Sequence, residues 1–246
     1  MIELFSKHGL CLSPEQEKKL KLYYTQMIEW NQNVNLTSIV EYEEVIRKHF
    51  LDSALLLKIP DPAKEDSNDE NPSGLFLPEK PIRVMDVGTG AGFPGLVLAI
   101  LCPEWEVVLL DSLQKRIDFL NTLIAELSLS NVRAIHGRAE EVGRDEKNRL
   151  GFDLVVSRAV ADLRLLLEFC IPFVSDDGYF VSYKGPRFED EILSAARAME
   201  ELNVNAEFDQ HFDLEGEQRV LVGFHRTGPL PEKYPRRPGI PSKRPL

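Results

Sequence analysis

The stretch Val84-Met85-Asp86-Val87-Gly88-Thr89-Gly90-Ala91-Gly92-Phe93-Pro94-Gly95 joins two patterns. Before it, the run from Ile82 to Val87 is apolar and β-branched; after it, Leu96 to Leu101 is apolar with helical periodicity. The reading is strand, tight turn, helix. Glycines suit the turn because they accept positive φ and let a ligand approach the backbone. Pro94 suits a first helical turn, where its missing N–H costs nothing. The amides at the helix start make a polar edge facing any ligand.

Gly90 to Gly95 matches G-x-G-x-x-G, the dinucleotide fingerprint, which alone is a weak signal. The register of the acids narrows it. Asp86 closes the strand just ahead of the glycines, where a carboxylate repels a pyrophosphate and welcomes a cation. The next strand, Glu106-Val107-Val108-Leu109-Leu110-Asp111, also ends in an acid, placed to grip a ribose. An adenosine with a positively charged tail satisfies both, and S-adenosylmethionine is such a molecule. Gly88, Gly90 and Gly92 are expected to lie against its methionine part, Asp86 to hold its ammonium group directly or through water, Phe93 to pack on it and Asp111 to take the ribose hydroxyls.

From Pro81 onward strands and helices alternate. Strands are expected at 82–87, 105–111, 132–136, 152–157 and 178–183, with helices at 95–102, 115–128, 162–171 and 189–201. Such alternation means an α/β fold with a mostly parallel sheet. The last two strands, 204–213 and 218–225, are joined only by Glu215-Gly216-Glu217, so a terminal antiparallel hairpin is expected. Ahead of this region, Ser13-Pro14-Glu15-Gln16 signals a capped helix, with Leu20, Tyr23, Tyr24, Met27 and Trp30 on its apolar face. A second helix is expected from 42 to 57.

Asp86 to Gly95, Leu110-Asp111-Ser112-Leu113-Gln114-Lys115-Arg116 and Val155-Val156-Ser157-Arg158-Ala159 resemble the RsmG (GidB) family, bacterial methyltransferases of guanine N7 in 16S ribosomal RNA. Trp30-Asn31, Asn35-Leu36-Thr37, His49-Phe50-Leu51-Asp52-Ser53 and the tail Tyr234-Pro235-Arg236-Arg237-Pro238-Gly239-Ile240-Pro241 extend the resemblance over nearly the whole chain. It implies a class I S-adenosylmethionine-dependent methyltransferase: a Rossmann-like, mostly parallel seven-stranded sheet preceded by an N-terminal helical cap. It places Ser112 and Leu113 beside Asp111, and Ala139, Glu140 and Arg158, at the cofactor. It puts Asn35, His49 and Asp52 near the substrate mouth; the alternative is a capped loop with His49 satisfied by Asp52. Glu140 also reads as a helix-starting acid.

At the end of the fourth strand, Ser157-Arg158-Ala159 carries neither the Asn/Asp-Pro-Pro-aromatic set used on exocyclic amines nor a cysteine nucleophile, and Cys170 falls inside the next helical pattern. Guanine N7 needs neither, because its lone pair is free at neutral pH. Arg158 is the expected catalytic residue, and gripping the cofactor carboxylate, orienting guanine and binding phosphate all stay open for it. Arg138, Lys184, Arg219, Arg236 and Arg237 are the expected RNA contacts, the last two on a tail held extended by prolines.

A net charge of −11 argues against indiscriminate nucleic-acid binding. The charge is unevenly placed. Asp61, Glu65, Asp66, Asp69, Glu70 and Glu79 share 61–80 with Lys64 and Lys80, whereas 226–246 is basic. The expected organisation is a helical cap over 1–60, an acidic loop or insertion over 61–80, the cofactor domain over 81–226 and a basic tail over 227–246. Cys11, Cys102 and Cys170 fit neither a disulfide framework nor a zinc site and are expected as buried thiols. Scattered histidines suggest no metal, and the absence of a signal pattern or long apolar run suggests a cytoplasmic protein without membrane contact. The expected partner is small-subunit ribosomal RNA or an assembling subunit, met by a monomer. Three other readings remain: a nicotinamide-dependent dehydrogenase favoured only by Gly90 to Gly95, a small-molecule methyltransferase, and an RNA-binding module without catalysis.

Overall fold

Runs of Val, Ile, Leu and Phe, buried on both faces, build the inner strands of the sheet of the computed structural model, which describes residues 1–60, 81–158 and 161–246. The acidic stretch 61–80 and Ala159 lie outside the described residues. The strands are β1 (Arg83–Val87), β2 (Glu106–Asp111), β3 (Val132–His136), β4 (Phe152–Arg158), β5 (Val174–Lys184), β6 (Val204–Leu214) and β7 (Glu217–Arg226). Their order is β3-β2-β1-β4-β5-β7-β6. β3 to β5 pair in parallel, and β7 runs antiparallel to both β5 and β6. This is the mostly parallel seven-stranded sheet that was expected, terminal hairpin included. The chain reverses its direction of strand addition between β1 and β4, so the ends of these two strands form the switch point where α/β sheets take ligands.

α5 (Gly95–Leu101), α6 (Gln114–Glu126), α7 (Ala139–Val142) and α8 (Leu163–Cys170) link the parallel strands. The expected helix 189–201 is two helices, α9 (Phe188–Ser194) and α10 (Ala196–Leu202), parted at the buried Ala195. At the N-terminus, α1 (Ile2–Lys7) was not anticipated, being too short for its periodicity to be read. α2 (Pro14–Asn31) starts with the expected capping box: Ser13 Oγ accepts from Gln16 N at 3.2 Å, and Gln16 Oε1 accepts from Ser13 N at 2.8 Å.

The expected helix 42–57 is α3 (Tyr42–Val45), a π-helical stretch over Ile46–Leu51, α4 (Asp52–Ala54) and a 3-10 turn over Leu55–Lys58. A pattern search at 3.6 residues per turn cannot see the widened turn. Such turns re-aim side chains, and this one carries His49 and leads into Asp52, both of which line a cleft. The helices share one core with the sheet: Phe5, Tyr23 and Phe50 are clustered with Val84, Leu96 and Leu120. On the opposite face, Leu163, Leu166, Phe173 and Leu202 close over Val155 and Phe180.

Cys102 and Cys170 are buried free thiols, as expected, but Cys11 is exposed, because it falls in the link between α1 and α2 rather than on an apolar face. Among the described residues no helix is long and apolar enough to cross a membrane.

Candidate active site

The glycine loop makes three positive-φ turns, at Gly88 (73°), Gly90 (61°) and Gly92 (103°). At Gly92 space also demands glycine, since a Cβ there would lie 2.5 Å from Tyr23 Oη. Tyr23 donates to Ala91 O at 2.5 Å, so α2 ties the loop from above. From below the tie is Asp86, whose Oδ2 accepts from Thr89 Oγ1 at 2.7 Å and Gly95 N at 2.8 Å. Asp86, expected to hold a ligand ammonium directly or through water, is fully buried and lines no cavity at the loop. Its task here is to hold the turn. Burial pushes its carboxyl up to about 6 against the two hydrogen bonds, and Oδ1 has no protein partner.

Two cavities meet over this loop, sharing Gly88, Asp111 and Ser112. One, about 380 Å³, runs along Gly88 to Ala91 to Phe93, His49, Thr37 and Arg158. The other, about 210 Å³, lies under Val87, Leu110, Arg138, Ala139, Glu140 and Phe169. Together they fall in the range of about 300–1,000 Å³ typical of ligand sites. Asp111 stands between them with its carboxylate aimed by three donors: Gly90 N at 2.9 Å, Leu113 N at 2.9 Å and Arg116 Nη1 at 3.1 Å. An ionised carboxylate has about four lone-pair sites, so capacity remains for a ligand hydroxyl. Leu113 contributes its amide to Asp111, while its side chain is exposed and lines neither cavity. Glu140 sits in the first turn of α7, so both readings made of it hold in space: it starts a helix and it faces a cavity.

Arg158, at the end of β4, lines the loop cavity and also a third cleft of about 420 Å³ toward the N-terminal helices. The pairing of His49 with Asp52 considered from the sequence does not form. Asp52 Oδ2 instead accepts from Arg158 Nη1 at 2.8 Å, with Arg219 Nε 3.4 Å from Oδ1. Arg158 Nη1 also donates to Lys48 O at 3.1 Å and Nη2 to His49 Nδ1 at 3.1 Å. His49 Nδ1 lies 3.1 Å from both Arg158 Nη2, which only donates, and Lys48 O, which only accepts, while Nε2 is 2.8 Å from Thr37 Oγ1. The ring is neutral: burial first and the Arg158 charge second lower its pKa to about 3. Phe93 stacks on His49 (centroids 4.5 Å apart) and on Tyr23 (5.3 Å), with the Arg158 guanidinium 5.0 Å above it. Phe93 thus joins the helices to the sheet beside the cavity.

Residues 16–221 match the family GidB, described as rRNA small subunit methyltransferase G. The chain is 42% identical over 237 residues to the ribosomal RNA small subunit methyltransferase G of Desulfitobacterium hafniense, covering 96% of this chain and 91% of that one. With the protein of the same description from Moorella thermoacetica it shares 42% identity over 252 residues, covering 100% and 97%.

The chain belongs to the GidB family.

Among solved structures, the ribosomal protein L11 methylase of Lactobacillus delbrueckii subsp. bulgaricus aligns with a TM-score of 0.49 and 15% identity, over 74% of this chain and 79% of that one.

This GidB-family chain divides its expected RNA contacts. Lys184 and Arg219 line the third cleft, but each is engaged: Lys184 Nζ donates to Glu191 at 2.6 Å, and Arg219 contacts Glu217 and Asp52. Arg138 and Arg237 are exposed. Arg236 is committed to an intramolecular partner. Its backbone N and Nε donate to Glu168 Oε1 at 2.8 and 2.9 Å, and its Nη2 donates to Oε2 at 2.6 Å. Glu168 is fully buried on α8, where an unpaired carboxylate is expensive. The tail is therefore not an extended arm; it folds back and ends in α11 (Ile240–Lys243). A charged residue inside the apolar pattern Leu163 to Cys170 was the available signal. Asn31 Oδ1, accepting from Leu36 N and Thr37 N, shapes the loop that carries Thr37 to His49, and Asn35 is exposed on it. Among the described residues no His/Cys/Asp/Glu group is arranged to hold a metal.

Proposed function

We propose that this protein, as a cytoplasmic monomer, transfers a methyl group from S-adenosylmethionine to N7 of a guanine in 16S small-subunit ribosomal RNA. The observation that carries the reading is Arg158, which stands between the glycine-loop cavity on one side and a cation-lined cleft on the other. The loop residues fit the cofactor: open backbone at Gly88 to Ala91, an aimed carboxylate at Asp111 and a second acid, Glu140, at the far end. When bound, S-adenosylmethionine supplies an electrophilic sulfonium methyl.

The protein's part is binding and orientation. Gly88 to Ala91 receive the methionine portion and Asp111 the ribose, while Ala139 and Glu140 flank the adenine. No proton has to leave guanine N7 before it attacks, so the cleft needs no base. His49 is unsuited to be one, with both ring nitrogens engaged and its pKa near 3. Cys170, the nearest cysteine to this strand, is fully buried with its thiol pushed well above the usual value by burial, so it is no nucleophile. Positioning alone supplies about 7–11 kcal/mol in well-oriented systems. Of the five donors of Arg158, three are spent on Asp52, Lys48 O and His49, which lock the guanidinium. The other two remain to hold an acceptor oxygen such as guanine O6 and so present N7. Although each is paired within the fold, Lys48, Arg158, Lys184 and Arg219 outnumber Asp52 and Glu191 around the cleft, a balance that favours a phosphate-bearing substrate over a neutral small molecule.

The test is transfer from labelled S-adenosylmethionine to small subunits, and to their RNA, from cells lacking this protein. Borohydride–aniline cleavage then maps the label. Label at a single guanine N7 supports the reading. Label on another atom, or none with cofactor bound, defeats it.

A further inference from the structure

We propose that the C-terminal segment 234–242 is a wall of the cofactor cavity, with Arg236 as its positioning residue, and that it governs affinity for S-adenosylmethionine rather than for RNA. This rests on the assignment of the glycine-loop cavity to that ligand. Three contacts carry it. Arg236 occupies both oxygens of Glu168, which no solvent reaches, so the tail is pinned to α8 at one fixed point. Phe169, the next residue of α8, lines the cavity on its adenosine side. Beyond the pin, Gly239, at φ 80°, donates its N–H to Glu140 Oε1 at 3.2 Å, and Ser242 lines that same cavity.

The tail thus engages one oxygen of the acid expected at the adenine and leaves the other for the ligand. Two further ties keep it down: Tyr234 Oη donates to Glu201 at 2.8 Å, and Arg149 Nη1 donates to Tyr234 O at 2.7 Å. The inward residues of the tail are committed to the fold, while Arg237, Lys243 and Arg244 stand exposed on its outer side. A tail serving only as an electrostatic arm would have no use for a buried pin or for a contact with Glu140.

The experiment is calorimetric titration of the full-length chain with S-adenosylmethionine and S-adenosylhomocysteine, beside separate KM values for cofactor and small subunits. Arg236→Ala is expected to weaken cofactor binding about tenfold, and Arg236→Lys to recover part of it, because a loosened wall must be ordered on binding. Ser242→Trp, at an exposed position, is expected to weaken it by about as much by intruding on the cavity. KM for small subunits should stay within about twofold for all three, well under the tenfold step. In the wild type, cofactor should slow amide exchange across 239–243. Unchanged affinity in Arg236→Ala and Ser242→Trp, or a loss confined to KM for subunits, overturns the proposal. If Arg236→Ala does not fold, Ser242→Trp and the exchange data decide. A wild type that binds no cofactor defeats the cavity assignment itself, and the proposal with it.

Discussion

The glycine loop after β1 and the C-terminal tail both line the cavities over the sheet's switch point, yet they reach them by opposite routes. The loop is shaped by its own backbone: Gly88, Gly90 and Gly92 take positive φ within five residues of the strand that feeds them, and Asp86 bonds Thr89 and Gly95 nearby in sequence. The tail is shaped by partners far away: Arg236 by Glu168, and Gly239 by Glu140. Local grammar specifies the first. Long-range pairing specifies the second, and a cation whose partner lies 68 positions earlier reads as free until the fold is seen.

Arg158 combines both routes, and its loss is the largest expected effect. Arg158→Ala should lower kcat/KM for methyl transfer by about 10²–10³-fold, the cost of losing one preorganised donor, as read in a single-turnover assay. A variant that stays within tenfold would move the chemistry away from the end of β4. Next comes the loop itself. Gly92→Ala brings a Cβ within 2.5 Å of Tyr23 Oη and 3.0 Å of Leu96 Cβ. It should cost about 1–3 kcal/mol in denaturant melts and weaken cofactor binding, because Tyr23 can no longer hold Ala91. Unchanged stability would show that the loop does not depend on α2.

The linkage of His49 offers a finer cut. Its folded pKa, about 3, lies below its ordinary 6.5, so below pH 6.5 the unfolded chain takes up a proton that the folded chain refuses. That favours unfolding by about 1.4 kcal/mol per pH unit as pH falls from 6.5 toward 3. Asp86 acts with the opposite sign. Its folded pKa, about 6, is raised from 3.8, so its stabilising contribution is fully present below 3.8 and is lost as pH rises through 6. The two oppose each other between pH 6 and 4. His49→Gln should therefore make stability fall less, or rise, on acidification in that window. Parallel curves for wild type and variant would mean that His49 is charged in the fold. The smallest effect is expected on the exposed outer side of the tail. Removing the exposed Arg237 should leave cofactor affinity unchanged and reduce the salt slope of substrate binding by up to about 0.7, the value for one phosphate on a single strand.

Much of the sheet was legible in the sequence because its strands announce themselves as short β-branched runs ending in glycine or acid. β3 was read to the residue, and the hairpin of β6 and β7 followed from a turn with no room for a helix. The capping box of α2 is likewise local. The π-helical turn at Ile46–Leu51 was hidden because it breaks the period that reveals helices. At the site, the positions of Asp111 and Arg158 were legible as strand-end residues, and Glu140 only through the family resemblance. The burial of Asp86 was not, because an acid that serves a ligand and an acid that serves a turn look alike until its donors, Thr89 Oγ1 and Gly95 N, are placed.

The most direct test of the account is a crystal structure of the full-length chain with S-adenosylhomocysteine. The account predicts the ribose hydroxyls on Asp111, the adenine between Ala139, Glu140 and Ser242, and the sulfur facing the cleft beyond Arg158. An adenine on the Phe93 side, or a sulfur turned away from Arg158, would contradict it.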